Sequence, residues 1–92
     1  MIRSFRHDGI ERFFRTGSVA GIQPKHAKRL RLQLTALDVA GGPGDMGRPG
    51  WRLHSLCGEL AGYWAIWVDE NYRLIFKFSG KAVESVDYRD YH

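Results

Sequence analysis

Three short segments of this sequence hold most of the side chains that could move protons or bind an anion. Arg52-Leu53-His54 closes a short strand-like run, Asn71-Tyr72-Arg73 opens a longer one, and Asp90-Tyr91-His92 follows the last. Metal-free cleavage of an RNA phosphodiester needs a base for the 2′-hydroxyl proton, a cation for the phosphorane and an acid for the 5′ oxygen. These residue types supply all three. His54 and His92 are candidates for the proton transfers, because imidazole as a class titrates near neutrality. Arg73 keeps its proton, and its planar fork matches two phosphate oxygens. Tyr91 can donate to an oxygen or stack on a base, and Asp90 can orient an imidazole or a guanidinium. Zinc is a poor rival: His54 and Cys57 are close in sequence, but only His7, His26 and distant His92 remain to complete four ligands. No nucleophile elbow is visible, and the glycines of residues 41–50 do not have P-loop or dinucleotide-fold spacing.

Period-two alternation decides which of these groups can share a face. Tyr72, Leu74, Phe76 and Phe78 alternate with Asn71, Arg73, Ile75 and Lys77, so one face of this strand is apolar and must be covered. If Trp51 and Leu53 point to that covered side, Arg52 and His54 join Arg73 and Lys77 on the other. Arg52 and Lys77 are therefore candidate RNA-binding residues. Structural readings stand beside this one: His54 as a hydrogen-bonded surface residue, Arg73 paired with Asp69, Glu84 or Asp87, and Tyr63, Trp64 and Trp67 as packing rather than base stacking.

The covering layer is expected from two helices. Asp8 precedes Glu11 by three residues as in a capping box, and Ile10, Phe13 and Phe14 share a face before the stop at Thr16-Gly17. Pro24 opens a longer helix over residues 25–40, ended by Gly41-Gly42. Leu30, Leu34 and Leu37 form one apolar stripe and Leu32, Ala36 and Val39 a second, which predicts contact on two sides. Lys28 and Arg31 lie between them, on a polar stripe that could meet phosphate. Residues 2–5 read as a short opening strand and 41–50 as a loop. Strands are expected at 51–55, 62–68, 71–79 and 82–88, joined by short turns into an antiparallel meander.

The chain has 92 residues, room for one domain with a modest core. Its net charge of +4 comes mostly from ten arginines against four lysines, which favours a polyanionic partner. One cysteine gives no internal disulfide, and no signal-like or membrane-spanning apolar run is present, so a cytoplasmic, membrane-free setting is expected.

Taken in order, Met1-Ile2-Arg3-Ser4-Phe5, Gly21-Ile22-Gln23-Pro24 running into a basic helix, Arg52-Leu53-His54-Ser55-Leu56, Gly62-Tyr63-Trp64, Asn71-Tyr72-Arg73-Leu74, Val86-Asp87-Tyr88 and Asp90-Tyr91-His92 resemble the HigB toxins. These form the plasmid-maintenance killer branch of the RelE/ParE superfamily, and the resemblance covers essentially all 92 residues. It implies an α+β, RelE-like fold over residues 1–92, with two N-terminal helices packed on one face of a small, mainly antiparallel twisted sheet. It also implies the toxin of a type II toxin–antitoxin system: a ribosome-dependent, cofactor-free and metal-free endoribonuclease that cuts mRNA in the decoding (A) site. A HigA-type helix-turn-helix antitoxin would neutralise it, and the pair would bind promoter DNA through the antitoxin. Catalytic roles transfer to His54, Arg73, Tyr91, Asp90 and His92. A ParE-like gyrase inhibitor and a non-catalytic nucleic-acid-binding protein are the alternatives. In one departure, Cys57-Gly58 stands where the family usually has Lys-Gly. Loss of one charge-assisted contact costs ~1.5–3 kcal/mol, or roughly tenfold to a hundredfold in rate, unless Lys77 or Arg52 compensates.

Overall fold

Gly9 and Gly21 meet backbone to backbone, and this contact fixes how the first helix leaves the N-terminal segment. A Cβ on Gly9 would lie 2.2 Å from the Gly21 carbonyl oxygen, and one on Gly21 would lie 2.5 Å from the Gly9 Cα. The computed structural model describes residues 1–91. Its elements in chain order are α1 (Asp8–Thr16), α2 (Ala27–Val39), β1 (His54–Ser55), β2 (Trp64–Trp67), β3 (Tyr72–Ser79) and β4 (Ala82–Asp90). The strands form one antiparallel sheet in the order β1-β2-β3-β4, and both helices pack on one of its faces. That is the α+β arrangement the sequence predicts.

The core lies between the layers. Ile10 and Phe13 of α1 and Leu30, Leu34 and Leu37 of α2 meet Ile66, Leu74, Phe76, Val83 and Val86 of the sheet. Full burial of such side chains is worth about 1.5–3 kcal/mol each, so this seam carries most of the stability. Residues 2–5 form two parallel bridges to β4, Ile2 with Val83 and Phe5 with Val86, in place of a continuous strand. Asp38 of α2 also accepts a hydrogen bond from the Ile2 amide at 2.9 Å.

Several local expectations are corrected. The cap of α1 is His7, whose Nδ1 accepts from the Ile10 amide at 3.1 Å, while Glu11 is taken by Arg15 at 3.0 Å. The long helix begins as a 3-10 turn, Pro24–His26, before α2 proper. Its second apolar stripe is not a contact: Ala36 is buried, but Leu32 and Val39 are 54% and 80% exposed. The glycine-rich loop contains a 3-10 turn, Pro43–Met46, which drives Met46 fully into the core. The first expected strand shrinks to two residues because Arg52 takes a left-handed conformation, φ 51°. The last strand extends through Asp90.

β4 also carries a bulge. Opposite β3 the register slips by one residue between Ile75 and Lys77, and Ser85 adopts φ 56° there. The Ser85 amide donates to the Ser4 Oγ at 2.9 Å, which ties the bulge to the N-terminal segment.

Gly9→Ala and Gly21→Ala should each lower the unfolding free energy by ~2–4 kcal/mol, because main chain rather than a flexible side chain must move. The expected readout is a lower urea midpoint at unchanged slope; a wild-type midpoint would show that the two backbones part without cost.

Candidate active site

Strand register brings the chemistry-bearing residues to the sheet face away from the helices. His54 pairs with Ala65, Ala65 with Ile75 and Ile75 with Asp87, one row across all four strands. The next row runs Trp67, Arg73, Arg89. Cross-strand partners share a face, so both rows point to the open side. Ala65 and Ile75 are fully buried but lie outside the helix-side core, which gives this face an apolar floor with charge around it. Two strand spacings and two residues separate His54 from Arg73, ~12 Å between Cα atoms, a span their side chains can close around one phosphodiester.

His54 is exposed and its orientation is set from within its own segment. Nδ1 lies 2.8 Å from the Arg52 carbonyl oxygen. A carbonyl only accepts, so Nδ1 carries the proton of the neutral ring and Nε2 presents a lone pair. The left-handed turn at Arg52 makes this contact, and a non-glycine residue held there costs about 1–3 kcal/mol, a strain commonest at functional sites.

Trp67 is the platform for the cations. The Cζ of Arg52 lies 4.2 Å from its ring centroid and that of Arg73 lies 4.0 Å away. The Trp67 backbone is held firmly: its amide donates to the Trp51 carbonyl at 2.7 Å, and its carbonyl accepts from Gln33 at 2.8 Å and from Arg29. Arg73 is further held by Nη1, which donates to the Asp69 carbonyl at 2.8 Å and the Tyr72 carbonyl at 3.1 Å; neither bond uses Nε or Nη2.

Acid pairing is directed away from Arg73. Asp87 bonds Arg89 at 2.7 Å, and this hydrogen bond pushes the Arg89 guanidinium further up from its ordinary range. Asp69 offers Arg73 its carbonyl rather than its carboxylate. The carboxylates expected as cross-sheet partners for Arg73 are thus engaged elsewhere, apart from Glu84, which stands opposite Lys77.

The remaining sequence candidates divide between the two sides of the protein. Tyr91 continues past β4 with its amide bonded to the Asn71 carbonyl, and its ring centroid is 5.6 Å from the Arg73 Cζ. Asp90 pairs with Tyr72 and faces the helix side, where it lines a cleft of about 420 Å³ with His7, Gln23, Tyr72 and Tyr88. The sequence reading grouped Asp90 with Tyr91; strand alternation separates them because β4 runs on instead of fraying. His92 lies outside the described residues. Lys77 is on the open face, its ammonium 5.4 Å from the Tyr63 ring. Lys28 and Arg31 lie on α2, where Arg31 stands over Phe13 at 5.5 Å and both border a shallow depression with Leu32 and Thr35. They belong to the helix layer, across the protein from His54.

Sequence reasoning missed a polar chain beneath the site. His26 is buried; its Nε2 is 2.6 Å from Asp69 Oδ2 and its Nδ1 is 2.6 Å from the Tyr88 hydroxyl. That hydroxyl also accepts from the Gln23 amide at 3.3 Å. Burial alone would raise the Asp69 carboxyl, but bonds from His26 and from the Tyr72 and Asn71 amides outweigh it and hold the pKa at about 2. Burial pushes the Tyr88 phenol up to about 12. The one available signal was His26 at the start of a helix whose next turns are apolar.

Comparison with known proteins agrees with this geometry. The family model of the HigB-like toxins, RelE-like toxins of type II toxin–antitoxin systems, matches residues 3–92. Endoribonuclease HigB of Proteus vulgaris is 36% identical over the full length of both chains. Among solved structures, YoeB in the YoeB–YefM complex from Staphylococcus aureus has TM-score 0.60 at 16% identity, covering 100% of this chain and 98% of that one. YafQ from Escherichia coli strain BL21(DE3) has TM-score 0.58 at 14% identity, covering 98% and 91%. The fold is thus that of a RelE-like toxin. Within that class, this chain belongs to the HigB-like family.

The Asp69 pKa predicts an acid limb of stability. It falls below its unfolded value of 3.8, so its contribution is fully present above that value and lost as pH falls through about 2. The carboxylate is 32% exposed, so we expect wild type to exceed Asp69→Asn by only ~1–2 kcal/mol above pH 4, with the gap closing toward pH 2. Urea titrations across this range check it, and a pH-independent gap would remove ionisation of Asp69 as the cause.

Proposed function

We propose that the chain is the toxin of a type II toxin–antitoxin pair and an endoribonuclease that cuts messenger RNA in the ribosomal decoding site without a metal. The observation that carries this reading is the pairing of two guanidiniums on Trp67 with an oriented imidazole on the same open face. The relative named Endoribonuclease HigB supports the reaction class. In this mechanism His54 Nε2 takes the proton of the 2′-hydroxyl, whose oxygen then attacks the adjacent phosphorus. Arg73, through Nε and Nη2, and Arg52 stabilise the charge on the phosphorane. The bond from phosphorus to the 5′ oxygen breaks, leaving a 2′,3′-cyclic phosphate. The departing oxygen receives its proton from an imidazole, His92 or the newly charged His54.

Tyr91 is placed beside Arg73 to stack on a base or donate to the phosphate, and Lys77 lengthens the basic track. Asp90, on the other side of the strand, would act on the reaction only indirectly, through the end of β4. The openness of the face supports ribosome dependence, since a surface without walls needs its substrate held by something else. The partners in this reading are translating ribosomes in the cytoplasm, a HigA-type antitoxin, and promoter DNA bound through that antitoxin. YoeB was solved in complex with YefM, which supports a protein partner for this fold.

On translating ribosomes, wild type should cut mRNA, and His54→Ala or Arg73→Ala should each slow cutting at least ~100-fold with folding intact. Intact messages with arrested DNA supercoiling would favour gyrase inhibition instead. Cys57→Lys restores the cation usual in the family and should raise the cleavage rate about tenfold; an unchanged rate would show that Arg52 or Lys77 already fills that role.

A further inference from the structure

We propose that His26 is a positioning residue for Arg73, acting through Asp69 and the turn between β2 and β3. The inference rests on the ribonuclease reading for its kinetic consequence, though its geometric content does not. His26 Nε2 is 2.6 Å from Asp69 Oδ2. Asp69 Oδ1 accepts from the amides of Asn71 and Tyr72 at 2.9 and 2.8 Å, so one carboxylate fixes the whole turn. The same turn aims the carbonyls of Asp69 and Tyr72 at Arg73 Nη1. Rotating either carbonyl would release the guanidinium from one edge while its face still rests on Trp67.

The imidazole is itself held from several sides. Its Nδ1 meets the Tyr88 hydroxyl at 2.6 Å, and its ring lies edge-on to Tyr72 at 4.9 Å between centroids. Tyr72 stacks on Tyr88 at 5.0 Å. The Gln23 amide donates to Tyr88, Tyr88 donates to His26, and His26 donates to Asp69; a neutral ring satisfies every donor and acceptor in this chain. A buried, fully bonded network of this kind is stiff and has few alternative arrangements. The acidity of Asp69 keeps its carboxylate charged down to about pH 2. His26 reaches no part of the open face, so its effect on the reaction passes through the turn, where two carbonyls hold Arg73.

The test contrasts two amide replacements. Gln reaches the position of Nε2 and can still donate to Asp69, whereas Asn reaches only the position of Nδ1. His26→Asn should lower kcat for ribosome-bound message cleavage ~tenfold with KM little changed, and His26→Gln should stay within about threefold of wild type. In an Arg73→Ala background the His26→Asn loss should disappear, because the group it positions is gone. A loss that persists undiminished on Arg73→Ala, or Asn and Gln variants that behave alike, would overturn the proposal. Nitrogen-15 relaxation of the Arg73 guanidinium in the free protein gives a second readout: slow rotation in wild type and His26→Gln, faster rotation in His26→Asn. If wild type leaves messages intact, the ribonuclease reading fails while this measurement still decides whether His26 holds Arg73.

Discussion

Two guanidiniums share one indole, and most of the surrounding structure serves to make that arrangement tolerable. Arg52 and Arg73 each stand about 4 Å from the Trp67 centroid, so they are at most about 8 Å apart, where like charges repel by ~0.5 kcal/mol in water and ~2 kcal/mol at an effective dielectric of 20. A cation over an exposed aromatic ring gains only about 0.5–1 kcal/mol. The indole alone therefore roughly balances the repulsion. The margin comes from backbone carbonyls, two at Arg73 Nη1, and from a platform whose main chain is held by Trp51, Gln33 and Arg29. A bound phosphate would add attraction to both guanidiniums and relieve their mutual repulsion.

Those contacts divide the labour between the two layers. α2 uses Arg29 and Gln33 to hold Trp67 from behind. Gln33 has a cost, since its Oε1 is buried without a hydrogen-bond partner among the described residues. An unpaired buried acceptor costs ~1–3 kcal/mol, and it is offset here by the fully buried leucines on either side, Leu30, Leu34 and Leu37. The helix layer leaves Leu32 and Val39 facing outward, so its apolar content exceeds what its own core requires.

Sequence periodicity made the faces legible more reliably than the elements. Arg52 and His54 point outward and Trp51 inward as alternation required, although the strand supposed to impose this is nearly absent and a left-handed residue does it instead. β3 was readable in full because its apolar residues recur at every second position. The bulge at Ser85 and the buried turn at Met46 were not, because each depends on contacts with segments far away in the chain. At the site, Arg52, His54, Arg73 and Lys77 could be grouped by alternation, whereas Asp90 could not be separated from Tyr91 without knowing that β4 runs on. The link from His26 to Asp69 spans 43 positions and has no periodic signature.

Burying the support and exposing the chemistry separates their responses to acid and base. Asp69 stays charged down to about pH 2 and Tyr88 stays protonated up to about pH 12. Between those limits neither end of the buried chain changes charge, so Asp69 keeps its bonds to the amides of the turn that aims the carbonyls at Arg73. His54, the base of the proposed reaction, sits on the opposite face in contact with solvent, apart from this buried chain. For Tyr88 the sign is the reverse of that for Asp69. Its folded pKa exceeds the ordinary value of 10, so its neutral form stabilises the fold below pH 10 and that contribution is lost as pH rises toward 12. The two ends of the scaffold thus lose their contributions only at the acid and alkaline extremes, far from neutrality.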